Sequence, residues 1–215
     1  TPGAPTTGAD VRLILASKSP ARLALLRRAG LAPEVIVSGF EESQIRNPVP
    51  IDLAMTLARC KGESVVRRLD GDYILIACDS VLEFEGRAHG KPGTEQAAIE
   101  RWQRMRAREG ILHTGHYVAV SRASALHDSV RIGSTTVAFA DVSDGEIAAY
   151  AATGEPQRVA GGFTIDGRGG AFVTSISGDP FNVIGLSLPL VRQMVIDLGV
   201  AWQDLWVPPD DEVTA

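Results

Sequence analysis

The sequence predicts an α/β domain whose ligand site opens at one edge of its sheet. Two stretches carry that reading. Ile74-Leu75-Ile76-Ala77-Cys78 is an unbroken apolar run that suits a strand buried on both faces, and it ends at Asp79. Val11-Arg12-Leu13-Ile14-Leu15-Ala16 is a second short strand, followed by a Ser17-Lys18-Ser19 turn and a helix from Pro20. The break at Asp79 places an acid at the carboxyl end of a central strand, the edge where open α/β sheets bind ligands.

The chain then reads in order. Thr1 to Asp10, rich in Pro, Gly, Thr and Ala, is a flexible tail. The first helix, Pro20 to Ala29, carries Leu23, Leu26 and Ala29 on one side and stops at Gly30. Leu31 to Gly39 is a further strand, and a helix runs from Asp52 to about Leu69. Val81 to Arg87 alternates roughly, with a turn at Gly86, and reads as a hairpin leading to Gly90-Lys91-Pro92. Thr94 caps a helix that buries Ala98, Ile99, Trp102 and Met105, with Arg101, Arg104, Arg106 and Arg108 on a solvated face. Strands follow at His116 to Ser121 and Val130 to Ala140, then a helix opened by the Ser143–Glu146 capping box and ending before Gly154. Gly161 to Ile165 and Gly169 to Val173 read as short strands. The last helix runs from near Leu188 to Gly199; Trp202 and Trp206 dock the tail, and Pro208 onward frays.

Composition narrows the function. The chain has 215 residues, which fits one large domain or two small lobes, and its 45% apolar and 22% charged content supports an ordinary core. A net charge of −5 argues against a general nucleic-acid coat. No apolar run approaches the ~20 residues that span a bilayer, and no signal-peptide pattern opens the sequence, so a cytoplasmic location without a membrane partner is the expectation. Cys60 and Cys78 sit in apolar surroundings and read as reduced thiols. His89, His113, His116 and His127 show no metal-ligand spacing, and there is no internal repeat, P-loop or nucleophile elbow.

Three features admit both a functional and a plain structural account. The free N–H groups of the Pro20 helix start, with Ser17, Ser19, Lys18 and Arg22, make an anion site or simply a helix cap. Lys61, among Leu57, Ala58, Ser64 and Val65 on a largely apolar helix face, snorkels along the core edge or points into a cleft. Asp79 with Lys91 suits an anionic ligand carrying a metal ion, or is a turn acid with a solvated loop lysine.

Together the motifs resemble a family. Leu15-Ala16-Ser17-Lys18-Ser19-Pro20-Ala21-Arg22 is similar to the opening LASxSPRR motif of the Maf proteins, nucleoside triphosphate pyrophosphatases once called septum-formation inhibitors. Phe40-Glu41-Glu42 looks like their Asp-Glu step, Leu57-Ala58-Arg59-Cys60-Lys61 like their LAxxK helix, and Ala77-Cys78-Asp79-Ser80 stands where they have Ala-Asp-Thr. Gly90-Lys91-Pro92, Thr114-Gly115, Ala160-Gly161-Gly162-Phe163 and Asn182-Val183-Ile184-Gly185-Leu186 continue the match in order, from about Val11 to Leu198.

The resemblance implies an elongated, curved mixed sheet flanked by helices, one domain over residues 11–207 of two lobes with a deep cleft, between tails at 1–10 and 208–215, and often a homodimer. It implies hydrolysis of a nucleoside triphosphate to the monophosphate and pyrophosphate with Mg²⁺ or Mn²⁺. Carried over, Asp79 is the general base and a metal ligand, Glu42 a second metal ligand or a water-orienting carboxylate, and Ser17, Ser19, Arg22, Lys61 and Lys91 contact phosphate. The departures are Ala21, Ser80 and Asp166, at places that bear on base choice; ionised Asp166 only accepts hydrogen bonds, which suits a donor edge such as guanine's. The alternatives are an inosine-triphosphatase-like hydrolase and a nucleotide-sensing cell-division regulator that acts by protein contact.

Overall fold

The computed structural model describes residues 11–45 and 47–208; the expected tail at 1–10 and the tail beyond the exposed Pro208 lie outside the described residues. Strands β1 (Arg12–Leu15), β2 (Glu34–Val35), β3 (Tyr73–Phe84), β4 (Arg87–His89), β5 (Glu109–Arg122), β6 (Ala125–Phe139) and β7 (Val173–Ser177) form one mixed sheet. Its order is β2-β1-β3-β5-β6-β7, with β4 beside β3. Helices α1 (Pro20–Arg28), α2 (Pro50–Val66), α3 (Glu95–Met105), α4 (Asp144–Ala152), α5 (Pro180–Ile184) and α6 (Leu188–Asp197) flank it. No helix among the described residues is long and apolar enough to cross a membrane.

β3 organises the sheet. Its residues alternate between faces, as a pleated strand requires. Ile74, Ile76 and Cys78 join the cluster under α1 and α6, which includes Leu26, Val191 and Met194. Leu75 and Ala77 join the cluster under α2, with Ala58, Val65 and Tyr117. That two-sided burial explains the unbroken apolar run. The far half of β3 feeds a third cluster, in which Trp102 meets Phe139, Tyr150 and Phe172 edge-on at 5.5–5.7 Å.

Asp79 does not end a strand. β3 continues to Phe84, so the expected short strand and hairpin are one long strand plus β4. The neighbour ends instead: parallel β1 pairs with β3 only as far as Leu15 opposite Ile76, and antiparallel β4 begins at His89 opposite Leu82. Residues 77–81 therefore face a notch in the sheet edge. The carboxyl-edge rule holds for β1, and Asp79 reaches the site from mid-strand.

Other boundaries moved for local reasons. α2 starts at Pro50, whose fixed φ and missing N–H suit a first helical turn, and stops at Val66. Between Leu31 and Gly39 only Glu34–Val35 forms a strand, at the edge beside β1, and Leu31 makes an isolated antiparallel bridge with Trp206. β5 and β6 run longer than expected, because Ala123 (φ 49°) and Ser124 (φ 66°) close them with a two-residue turn in the left-handed region. The glycine-rich region forms 3-10 turns at Ala160–Gly162 and Arg168–Phe172; β7 comes only after them. The arginines on and just after α3 are engaged: Arg104 and Arg108 pair with Glu85, Arg108 lies 4.6 Å over the Phe84 ring, and Arg106, the C-cap, bonds Asp144 at 2.7 Å. Val207 N–H donates to the Gly30 carbonyl at 2.8 Å, which docks the tail as expected, while Trp202 packs on the core. Cys60 and Cys78 are both free thiols, and burial pushes Cys78 up to about 12.

Candidate active site

α2 lies close on the sheet because two glycines permit it. A Cβ on Gly115 would sit 2.2 Å from the Ala54 carbonyl oxygen, and one on Gly62 would sit 2.0 Å from the Tyr117 ring. That close seating lowers Lys61 toward the face of β3 that carries Asp79. The Lys61 ammonium bonds Asp79 Oδ1 and also meets Glu42 Oε1 at 2.6 Å. Glu42 comes from the 3-10 turn Glu42–Gln44 that precedes α2. The lysine points into the cleft and does not snorkel.

The two carboxylates respond differently to the same cation. Burial pushes the Asp79 carboxyl above its usual range, against the pull of Lys61 and Arg22. Burial also pushes Glu42 up, but its side chain is half exposed, and Lys61, Lys91 and Lys18 together hold it below its usual range. The site thus pairs a proton-accepting acid with one held as an anion.

The Ser17–Arg22 turn fills the notch. Ser19 caps α1 by accepting from Arg22 N–H at 3.4 Å, and Ser17 Oγ accepts from Ser19 N–H at 3.1 Å. The Arg22 guanidinium is fixed by three bonds: to the Gly185 carbonyl at 2.7 Å, Ser17 Oγ at 3.2 Å and Ser80 Oγ at 3.1 Å. Two of its five N–H groups remain for a ligand, beside the Ala21 N–H; Pro20 has no N–H, and the Arg22 and Leu23 N–H groups already bond Ser19. Behind it, Ser80 bonds Thr114 at 2.8 Å, and Thr114 donates to the Asn182 carbonyl at 3.0 Å. Ser80, expected to bear on base choice, therefore braces Arg22.

One cleft of about 1060 Å³ collects these groups. Asp79, Glu42, Lys61, Lys91, Ser17, Ser19 and Arg22 all line it, and so do Ala21, Ser80 and Asp166. Sequence reasoning missed Glu155, Arg158 and Arg168, which line the wall around Asp166. Their signal was faint: isolated charges in the connections before and between the two glycine-rich segments read as strands. Lys91 is held in place from outside, because the Gly90 carbonyl accepts from Arg101 at 2.5 Å and from Gly161 N–H at 3.2 Å.

The donor set fits a hard divalent ion. Asp79 and Glu42 both reach the Lys61 ammonium, which sets the two carboxylates side by side; an ion held by both would use oxygens that the lysine leaves open. Among the described residues no cluster of three or more His, Cys, Asp or Glu would hold an ion unaided. Two carboxylates suit Mg²⁺, which commonly takes its other ligands from substrate phosphates and water.

Comparison with known proteins finds relatives along most of the chain. A nucleoside triphosphate pyrophosphatase of Cutibacterium acnes is 51% identical over 202 residues, covering 91% of this chain and 95% of that one. One of Streptomyces coelicolor is 51% identical over 201 residues, covering 93% and 97%. The solved Staphylococcus aureus Ham1 protein is 16% identical with a TM-score of 0.38, covering 60% of this chain and 72% of that one. The family described as Maf-like protein matches residues 12–198. The chain belongs to the Maf-like protein family.

Proposed function

We propose that this protein hydrolyses a nucleoside triphosphate between its α- and β-phosphates, giving the monophosphate and pyrophosphate. The observation that carries the reading is the convergence in one cleft of the Asp79–Lys61–Glu42 cluster with the Arg22 turn and Lys91. Catalysis of such a transfer is mainly positioning and charge neutralisation. Arg22 forks onto phosphate oxygens from a fixed orientation, and Lys61 and Lys91 act as compact point charges. Asp79 and Glu42 would hold Mg²⁺ or Mn²⁺; when bound, the ion neutralises phosphate oxygens and acidifies nearby water. Asp79 takes a proton from the attacking water, and the Lys61 bond to Oδ1 orients its carboxylate for that transfer. The water oxygen bonds to the α-phosphorus, the bond to the bridging oxygen breaks, and pyrophosphate leaves with that electron pair. Lys91 and Arg22 bear the charge it carries. Asp166, an acceptor, favours a base with a donor edge such as guanine.

The test is pyrophosphate release from a panel of triphosphates with Mg²⁺ or Mn²⁺. Asp79→Asn is expected to keep triphosphate affinity and lose about 10²–10⁴ in turnover. Near-normal hydrolysis by that variant removes Asp79 from its role. Tight binding by the native protein without turnover supports a nucleotide sensor instead. Strict dTTP and UTP preference contradicts the role given to Asp166.

A further inference from the structure

Glu155 precedes the 3-10 turn Pro156–Arg158 and is bonded by four neutral donors. Its Oε1 accepts from Tyr150 Oη at 2.9 Å, Thr164 Oγ1 at 2.6 Å and Gly169 N–H at 3.0 Å; its Oε2 accepts from Arg168 N–H at 3.1 Å. Thr164 and Gly169 bracket Asp166, so the carboxylate grips both arms of the loop that presents it. The backbone is moulded onto this grip. A Cβ on Gly167 would lie 2.9 Å from Glu155 Oε2, and one on Gly169 would lie 2.4 Å from Tyr150 Oη. A glycine-rich loop left to itself samples many backbone conformations, and bonds to one charged acceptor restrict it.

The loop lines the same cleft as the cations of the notch. Asp166, an anion, is repelled by phosphate, while the cations of the notch, Arg22, Lys61 and Lys91, attract it. Asp166 and Arg168 both line the cleft. Together they offer an acceptor and a fork of donors, the complement of a base edge that carries both N–H and carbonyl or ring-nitrogen groups.

We propose that Glu155 is the positioning residue for nucleobase selectivity, holding Thr164–Gly170 so that Asp166 and Arg168 meet the base. This rests on the nucleotide reading above. Glu155→Gln keeps the shape but turns one acceptor into a donor, which then opposes a backbone N–H of the loop. The experiment measures kcat/KM over a panel of nucleoside triphosphates, with inorganic tripolyphosphate as competitive inhibitor. The variant is expected to shrink the ratio between best and worst base by about tenfold, with tripolyphosphate inhibition held within about twofold. An unchanged ratio overturns the proposal, and so does a loss of tripolyphosphate inhibition in step with the nucleotides. If Glu155→Gln fails to fold, Tyr150→Phe removes one donor and leaves the packed ring; a smaller shrinkage is expected, and none overturns the proposal. If the native protein turns over no triphosphate, the hydrolase reading fails separately. The preference is then read from calorimetric binding of the same panel: a preference flattened by Glu155→Gln upholds the inference, and its absence or persistence overturns it.

Discussion

Gly62→Ala tests whether helix seating sets the reaction. The new methyl carbon would stand 2.0 Å from Tyr117 Cδ1 and 2.5 Å from Cε1. Carbon atoms rest at about 3.5–4.0 Å, so helix and ring must part by roughly 1.5 Å. Overpacking of this kind costs about 1–3 kcal/mol, offset by the roughly 1 kcal/mol that Ala adds to a helix interior. The net loss of about 0–2 kcal/mol lowers Tm by only a few degrees in a chain of this size. Activity should suffer far more. Lys61 is the adjacent residue, and its contacts with Asp79 and Glu42 are short. A shift of that size is expected to lower kcat on the order of 10²-fold. Pyrophosphate release and a thermal melt read the two effects separately. Removing the ring with Tyr117→Val in the Gly62→Ala background should recover part of the lost kcat. Native kcat in Gly62→Ala alone would refute the seating argument.

Three further outcomes follow from the same contacts. Arg22→Lys keeps the charge but not the three-way fixation by Gly185, Ser17 and Ser80; kcat/KM should fall about 10–100-fold, and a change under threefold would sink the positioning argument. Arg101→Met removes one of the two bonds that hold the Gly90 carbonyl, so KM should rise severalfold with a smaller change in kcat; equal KM values would show that Lys91 does not depend on this brace. His116 accepts from Ser187 N–H at 2.8 Å, and burial, aided by Arg22, pushes its imidazole down to about 3 from 6.5. Between those values the unfolded chain binds a proton that the folded chain refuses. Stability present above pH 6.5 is therefore lost as pH falls through that window, by up to about 1.4 kcal/mol per pH unit from this group. Denaturant titrations across that range should show a shallower acid slope for His116→Gln, and parallel slopes would contradict the assignment.

Much of the site was legible because its chemistry is local in sequence. Ser19 caps α1 three residues ahead of Arg22, and a helix start supplies its own anion-binding groups whatever surrounds it. The apolar run before Asp79 marked a doubly buried strand, and it is one. Lys61 stayed open between two fates, because helix periodicity shows which face a residue shares but not what that face meets. The Gly62 and Gly115 contacts settled it, and they join residues more than fifty positions apart. Glu155 was invisible for the same reason: a carboxylate among glycines has no local pattern, and only folding brings Arg168 and Gly169 N–H groups onto it.

The amino-acid sequence by itself determined the α/β class, the helix caps, the buried strand and the acids and cations that line the cleft, since each depends on side-chain type and near-neighbour spacing. Tertiary structure alone decided that β1 stops where Asp79 begins to be exposed to the notch, that α2 lies close enough for Lys61 to reach it, and that a remote carboxylate shapes the loop opposite. Those are distances between segments far apart along the chain. They are set by strand register and by how closely backbones approach, and residue type constrains both only once the sheet has formed.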